Sequence, residues 1–254
     1  MQKIQINGIE LAYERRGKGS PLVLIHGYPL DHSIWEEVAR LLENDLDLIL
    51  PDLRGFGGSS TADAPYTMTD MARDIASLLD ALGIEQAALA GHSMGGYVSL
   101  AFAKAFPNRM KGLALVASQA AADPPDRKEG RYKTAAAVSA KGAQFVADAM
   151  TGKLSANVQV QAVIRPLIEK QGVPGVIGAL KAMAEREDLT SFLASFDSPL
   201  VLIHGGADEL IPVERARELK SLVPSASLHI LPGAGHMPMM ELPEDTAAAL
   251  RLVG

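Results

Sequence analysis

Polar and apolar residues alternate over the first dozen positions. Ile4, Ile6, Ile9 and Leu11 stand among polar neighbours, with Asn7-Gly8 between the two halves. Alternation of period two around an Asn-Gly turn predicts an antiparallel hairpin. The pattern then changes. Residues 22–25 are a short apolar run ending near Gly27, and Leu46 to Leu50 is the next such segment, stopped at Pro51-Asp52. Runs of that length read as strands buried on both faces, as in a parallel sheet. Residues 87–90, 113–116, 198–204 and 227–231 read the same way. Between them apolar residues recur at helical spacing. One set is Trp35, Val38, Ala39, Leu41 and Leu42; another is Met68, Met71, Ile75, Leu78, Leu79 and Leu82, closed by Gly83; a third spans 94–106 and stops before Pro107. Strands alternating with helices predict βαβ units, hence an α/β fold with a mostly parallel sheet and helices on both faces.

One stretch breaks this rhythm. Residues 119–196 show no strand pattern; after DPPDRKEG they carry Ala-rich, Met-containing segments of helical period. That is too long for a connecting loop in a compact domain. The expectation is a helical insertion over the sheet, dividing the chain into a core of 1–118 and 197–254 and a cap of 119–196.

Composition narrows the function. The 254 residues are 48% apolar and 21% charged, a globular balance. Twenty-four Lys and Arg against thirty Asp and Glu give a formal charge of −6, without the basic stripe of a nucleic-acid footprint. There is no Cys, so disulfides, thiolate chemistry and Cys-bound metals are excluded. No apolar run reaches the ~18 residues of a membrane span, and MQKIQINGIE lacks the apolar stretch of a secretory signal. The expected setting is cytoplasmic.

The strongest chemical signal is Gly91-His92-Ser93-Met94-Gly95-Gly96. It matches G-x-S-x-G and lies between a predicted strand and a predicted helix, the context of a nucleophile elbow. A Ser hydroxyl needs a base. Of six histidines, His92 adjoins the Ser and is expected to point away from it. His26 and His204 close strands and read as scaffold. His229 reads as packing within a strand, and His32 as an exposed loop or helix start. His236 lies in a Gly-rich loop just past the last strand and is the candidate base. An orienting carboxylate is then required. Asp208, after Gly205-Gly206, is the candidate; its neighbour Glu209 reads as solvated. The oxyanion donors expected are the backbone N–H groups of Met94, next after the nucleophile, and of Tyr28, in the loop after residues 22–25. Pro29 has no N–H to give. A further Gly-rich loop, Asp52-Leu53-Arg54-Gly55-Phe56-Gly57-Gly58-Ser59, has no phosphate-loop spacing. It reads as a structural turn in which Asp52 and Arg54 pin neighbouring loops, with Phe56 bordering the site.

These segments, HGYP, DLRGFGGS, GHSMGG, GGADELIP and GAGH, occur in the order in which they occur in the α/β-hydrolase superfamily, and the chain resembles its capped branch over nearly its whole length. It is similar to small carboxylesterases, enol-lactone hydrolases and cofactor-free haloperoxidase-like members. The resemblance implies an eight-stranded sheet, a Ser93–Asp208–His236 triad, and oxyanion donation by Tyr28 and Met94. Haloalkane dehalogenases and epoxide hydrolases are also similar, but their nucleophile is Asp, and Ser93 argues against both.

The expected function is hydrolysis of small carboxylic esters through an acyl-enzyme, with no cofactor and no metal. Partners are limited to a small ester or lactone substrate, with no nucleic acid or membrane. Lactone hydrolysis, perhydrolase activity or a non-catalytic ligand receptor on the same fold are the alternatives. Phe145, Val146, Met150, Ile164 and Leu167 could line a pocket or simply pack; Met237, Met239 and Met240 could form adaptable walls or fill core.

Overall fold

The computed structural model describes residues 1–61 and 64–254. The predicted hairpin is β1 (Gln2–Ile6) and β2 (Ile9–Gly17), paired antiparallel around Asn7-Gly8. Strand β2 runs on past Leu11 into Glu14-Arg15-Arg16 and pairs antiparallel with β4 (Leu46–Pro51). Charge did not keep that half out of the sheet, because its side chains find partners. Arg15 forms a two-pronged bond with Asp47, at 2.9 and 2.7 Å, and Arg16 binds Glu14 and Glu36. The remaining strands are β3 (Ser20–Ile25), β5 (Ala87–His92), β6 (Met110–Val116), β7 (Leu200–Gly205) and β8 (Ser227–Leu231). The sheet has eight strands in the order β1-β2-β4-β3-β5-β6-β7-β8, parallel from β4 to β8.

Strands β4, β5 and β7 are buried at every residue, which explains their mainly apolar character, and Asp47 in β4 is answered by Arg15. Helices α1 (Glu36–Leu42), α2 (Met68–Ala81) and α3 (Met94–Ala105) follow the expected periodicity. Thr67 and Asp70 form a reciprocal capping box that starts α2.

Between β6 and β7 lie five helices and, among the described residues, no strand: α4 (Pro125–Lys141), α5 (Gln144–Leu154), α6 (Val158–Glu169), α7 (Val173–Ala184) and α8 (Thr190–Ala194). Helix α4 packs on α7, and α5 on α6. Val146 and Ile164 are buried within this group, in the apolar core rather than exposed. The chain ends with α9 (Glu214–Leu222), α10 (Pro238–Glu241) and α11 (Pro243–Leu250). Helix α11 packs on α1, and α2 on α3.

Helices α4 to α8 and their loops are tied to the rest of the chain through specific contacts. Lys170 Nζ binds the Asp31 carboxylate at 2.8 Å. Gly57 N–H donates to Gln171 Oε1, and the Tyr66 hydroxyl to the Gly175 carbonyl. At Gly175 the backbone of α7 lies so close to Gly55 that a Cβ would collide with the Gly55 carbonyl. Asp123, whose side chain is fully covered, receives Arg186 at 2.7 Å as well as Arg131, and Arg186 stacks 4.2 Å from the centre of the Tyr97 ring.

Candidate active site

The turn from β5 into α3 places Ser93 at φ +50°, ψ −111°, a conformation that costs a non-glycine residue about 1–3 kcal/mol and persists only where the surroundings over-determine it. Here they do. Ser93 N–H donates to the Val116 carbonyl at 2.8 Å, and its own carbonyl accepts from Ser118 Oγ at 2.8 Å and from Gly96 N–H at 2.9 Å. A Cβ on Gly91 would strike the Gly95 carbonyl, and one on Gly95 the Ile25 carbonyl. The two glycines of the motif therefore permit the close approach of strand and helix that the elbow needs. Ser93 remains partly exposed while its neighbours are buried.

Asp208 and His236 come together from two loops that follow β7 and β8. Gly206 N–H donates to the Leu231 carbonyl and Ala207 N–H to the Ala234 carbonyl, stitching the loops side by side. His236 Nδ1 then meets Asp208 Oδ2 at 2.7 Å, both groups buried. The second carboxylate oxygen accepts from Leu210 and Ile211 N–H at 2.9 and 3.0 Å. His204 Nε2 lies 3.3 Å from Oδ2 and bonds the Ile211 carbonyl. Burial alone would raise the Asp208 carboxyl; the bonds from His204 and His236 outweigh it and hold the group well below the usual carboxylate range. Asp208 is thus an anion aimed at Nδ1, which leaves Nε2 as the nitrogen free to exchange a proton. Glu209, beside it, is exposed.

His92 enters the same cluster. Its ring lies 4.9 Å from that of His236, and its Nε2–H donates to the His236 carbonyl at 2.8 Å. Burial, and then the neighbouring His236, push its pKa well below the ordinary value, so it stays neutral. No motif in the sequence announces this role, because its acceptor is a backbone carbonyl. Ser93 directly follows His92 in the chain. Among the described residues, however, no hydrogen bond joins Ser93 Oγ to His236. In a substrate-free site such bonds are often long and tighten in the complex.

The loop after β3 carries Tyr28, and α3 begins at Met94. Among the described residues neither backbone N–H donates to a protein acceptor. Met94 N–H stands at the positive end of the α3 dipole. His26 fixes the Tyr28 loop from behind: its Nε2 accepts from Leu53 N–H at 2.9 Å, and its Nδ1 lies 2.9 Å from the Gly27 carbonyl. Phe56 packs edge-on against both His26 and Tyr28. Asp52 receives both His32 N–H and the His32 ring, while Arg54 binds Asp74 through two bonds of 2.6 and 2.7 Å. The loop is thus pinned by side chains rather than shaped for phosphate. Asp31, His32 and Asp52 are grouped closely enough to hold a cation. Their acceptor atoms are already engaged by Lys170, Ser33, Gly58 N–H and each other.

Met237 and Met239 are fully buried and fill core, whereas Met240 is only partly buried.

A strained Ser after a central parallel strand, an Asp–His pair past the last two strands and two unengaged amides define a hydrolase-type site. The sequence model of the alpha/beta hydrolase fold matches residues 20–243, and the chain belongs to that family. The structure of a thermophilic esterase from Thermogutta terrifontis, determined with malate bound, is similar with a TM-score of 0.95 at 36% identity, over 99% of this chain and 97% of that one. The enol-lactonase from Burkholderia xenovorans LB400 gives 0.91 at 25% identity, over 98% of each chain. Among sequence relatives, the dihydrolipoyllysine-residue acetyltransferase component of the acetoin cleaving system of Pseudomonas putida is 31% identical over 254 residues. That match covers 96% of this chain and 66% of the relative.

Proposed function

We propose that this protein hydrolyses carboxylic esters of small molecules through a Ser93–His236–Asp208 acyl-enzyme mechanism. The observation that carries the reading is the buried 2.7 Å bond between His236 Nδ1 and an ionised Asp208, at the sheet edge where the Ser93 elbow emerges. Ser93 Oγ attacks the ester carbonyl while His236 Nε2 takes its proton. The carbonyl oxygen becomes an oxyanion that the Tyr28 and Met94 N–H groups receive; losing one such donor commonly costs ~3–4 kcal/mol of transition-state stabilisation. Collapse breaks the bond to the alcohol oxygen, which leaves with the proton from His236. Water then attacks the acyl-enzyme, again giving its proton to His236, and the acid departs as Ser93 recovers its hydrogen. Asp208 supports the transient imidazolium, and neutral His92 adds no competing positive charge beside it.

Helices α4 to α8 serve, in this reading, as a cap over residues 1–118 and 197–254, and their inner surface selects the substrate. Similarity to the thermophilic esterase supports an open ester as substrate, and similarity to the enol-lactonase supports a lactone, the same bond closed into a ring. Rates with p-nitrophenyl acetate and butyrate, compared with a panel of lactones, separate these two, with Ser93→Ala as the blank. Wild type should turn over one set at a rate at least ~10³-fold above Ser93→Ala. Equal rates in the two proteins would remove Ser93 from the mechanism.

A further inference from the structure

The backbone around His236 is held from two sides, and one of them is the helical insertion. His236 N–H donates to the carbonyl of Leu154, the last residue of α5, at 3.1 Å. The preceding amide, Gly235 N–H, donates at 2.6 Å to Oε2 of Glu241, the last residue of α10. The other oxygen of the same carboxylate accepts from the hydroxyl of Ser155. Ser155 is 1% exposed and forms the joint between α5 and α6: its Oγ also accepts from Asn157 N–H, and its carbonyl from Gln161. On the far side, the His236 carbonyl is held by His92 of the elbow.

We propose that Glu241 is a positioning residue: its carboxylate bridges the α5–α6 joint to the loop that carries His236, so that the seating of the insertion sets the aim of the imidazole. The proposal rests on the reading of His236 as the base. A carboxylate suits the task because it offers two acceptor oxygens to two donors on separate segments, in short charge-assisted bonds. Neither donor is part of a regular element, so each loop lacks a ladder to fix it. The imidazole must hold one nitrogen on Asp208 while presenting the other to Ser93. A displacement of its backbone by about 1 Å can cost on the order of 10²-fold in rate.

The test uses the full chain with p-nitrophenyl butyrate, measuring kcat, KM and the pH dependence of kcat/KM, with the folded fraction followed by circular dichroism. Glu241→Ala should lower kcat about 10- to 100-fold, leave KM within about 3-fold and shift the acid limb of the profile. Glu241→Gln, which keeps an acceptor for Gly235 N–H, should recover part of that loss. Ser155→Ala should act in the same direction by about 3- to 10-fold, and the double variant should be no worse than Glu241→Ala, since the two act through one bridge. Unchanged kcat in folded Glu241→Ala, or losses that add fully in the double variant, overturns the proposal. Should Glu241→Ala fail to fold, Ser155→Ala decides: wild-type kcat with an unmoved profile overturns it. Ser93→Ala and His236→Ala run alongside. If these keep the wild-type rate, the base assignment itself has failed; if they abolish it while Glu241→Ala does not, the bridge alone has.

Discussion

At the scale of single residues, two buried histidines lie on one carboxylate and a third on its histidine partner, and their environments set them apart. His92 is kept neutral by burial and by its neighbour, and it spends its one proton on the His236 carbonyl. His204 bonds the Ile211 carbonyl and lies within reach of Asp208. His236 is the one whose Nδ1 is bound by the acid. Replacing that acid by an amide removes the anion that orients and stabilises the imidazolium. Asp208→Asn should lower kcat by about 10²- to 10⁴-fold with the fold intact; steady-state kinetics with an ester substrate checks this, and a loss below 3-fold would count against the assigned role. The pH dependence follows from the directions of the shifts. Asp208 is held below the usual carboxylate range, so it remains ionised as pH falls towards 5, and His92 remains neutral. Acidification through the weakly acidic range therefore changes the charge of neither, and a fall in rate there belongs to the proton-accepting base. The logarithm of kcat/KM should fall with a slope of one; a slope of two would mean that a second group of the cluster titrates with it.

At the scale of elements, the apolar runs and helical stripes announced most of the sheet because burial on both faces admits polar residues only where they find partners. What stayed hidden shares one physical cause: polar side chains that find partners in the fold. The Glu14-Arg15-Arg16 half of β2 carries no apolar alternation, yet it pairs with β4, with Arg15 bound to Asp47 and Arg16 to Glu36. Helix α9 is dominated by charged residues around Ala216 and Leu219 and gave no apolar stripe. The Ser93 elbow and the Asp208–His236 pair could be read because side-chain chemistry spaces them recognisably. The Leu154 and His236 backbone contacts could not, since a carbonyl carries no residue signature. The seam between α7 and the Gly55 loop is another such contact. Gly175→Ala should destabilise by about 1–3 kcal/mol, because its Cβ meets backbone that cannot swing aside. For a chain of this size that is a fall in Tm of about 3–10 °C. Gly152→Ala in α5, where a Cβ would meet nothing, should hold or raise Tm. Calorimetry of the two variants gives the comparison, and equal Tm values would mean that α7 does not seat as described.

At the scale of the whole molecule, the insertion is joined to the sheet by charges as well as by close backbone. Burial would raise the Asp31 carboxyl, but hydrogen bonds from Lys170 and Ser33 outweigh it and bring it down to about 2. A carboxylate depressed on folding contributes stability above its unfolded pKa of ~4, and that contribution is lost as pH falls through the folded value. Asp31→Asn should therefore cost about 1–2 kcal/mol at neutral pH, allowing for screening at the half-exposed Lys170. Its stability should converge with that of wild type between pH 4 and pH 2. Urea titrations of both proteins across that range test this, and a constant gap down to pH 2 would remove the ion pair from the account. Fold, insertion and loops together matter for function only if they activate one hydroxyl. The most direct measurement is covalent labelling by an organophosphate or sulfonyl fluoride, followed by peptide mass spectrometry. The account predicts one label per chain, on Ser93, lost in His236→Ala and accompanied by complete loss of ester hydrolysis. Ester hydrolysis that persists in fully labelled protein, or a label that settles on another residue, would contradict it.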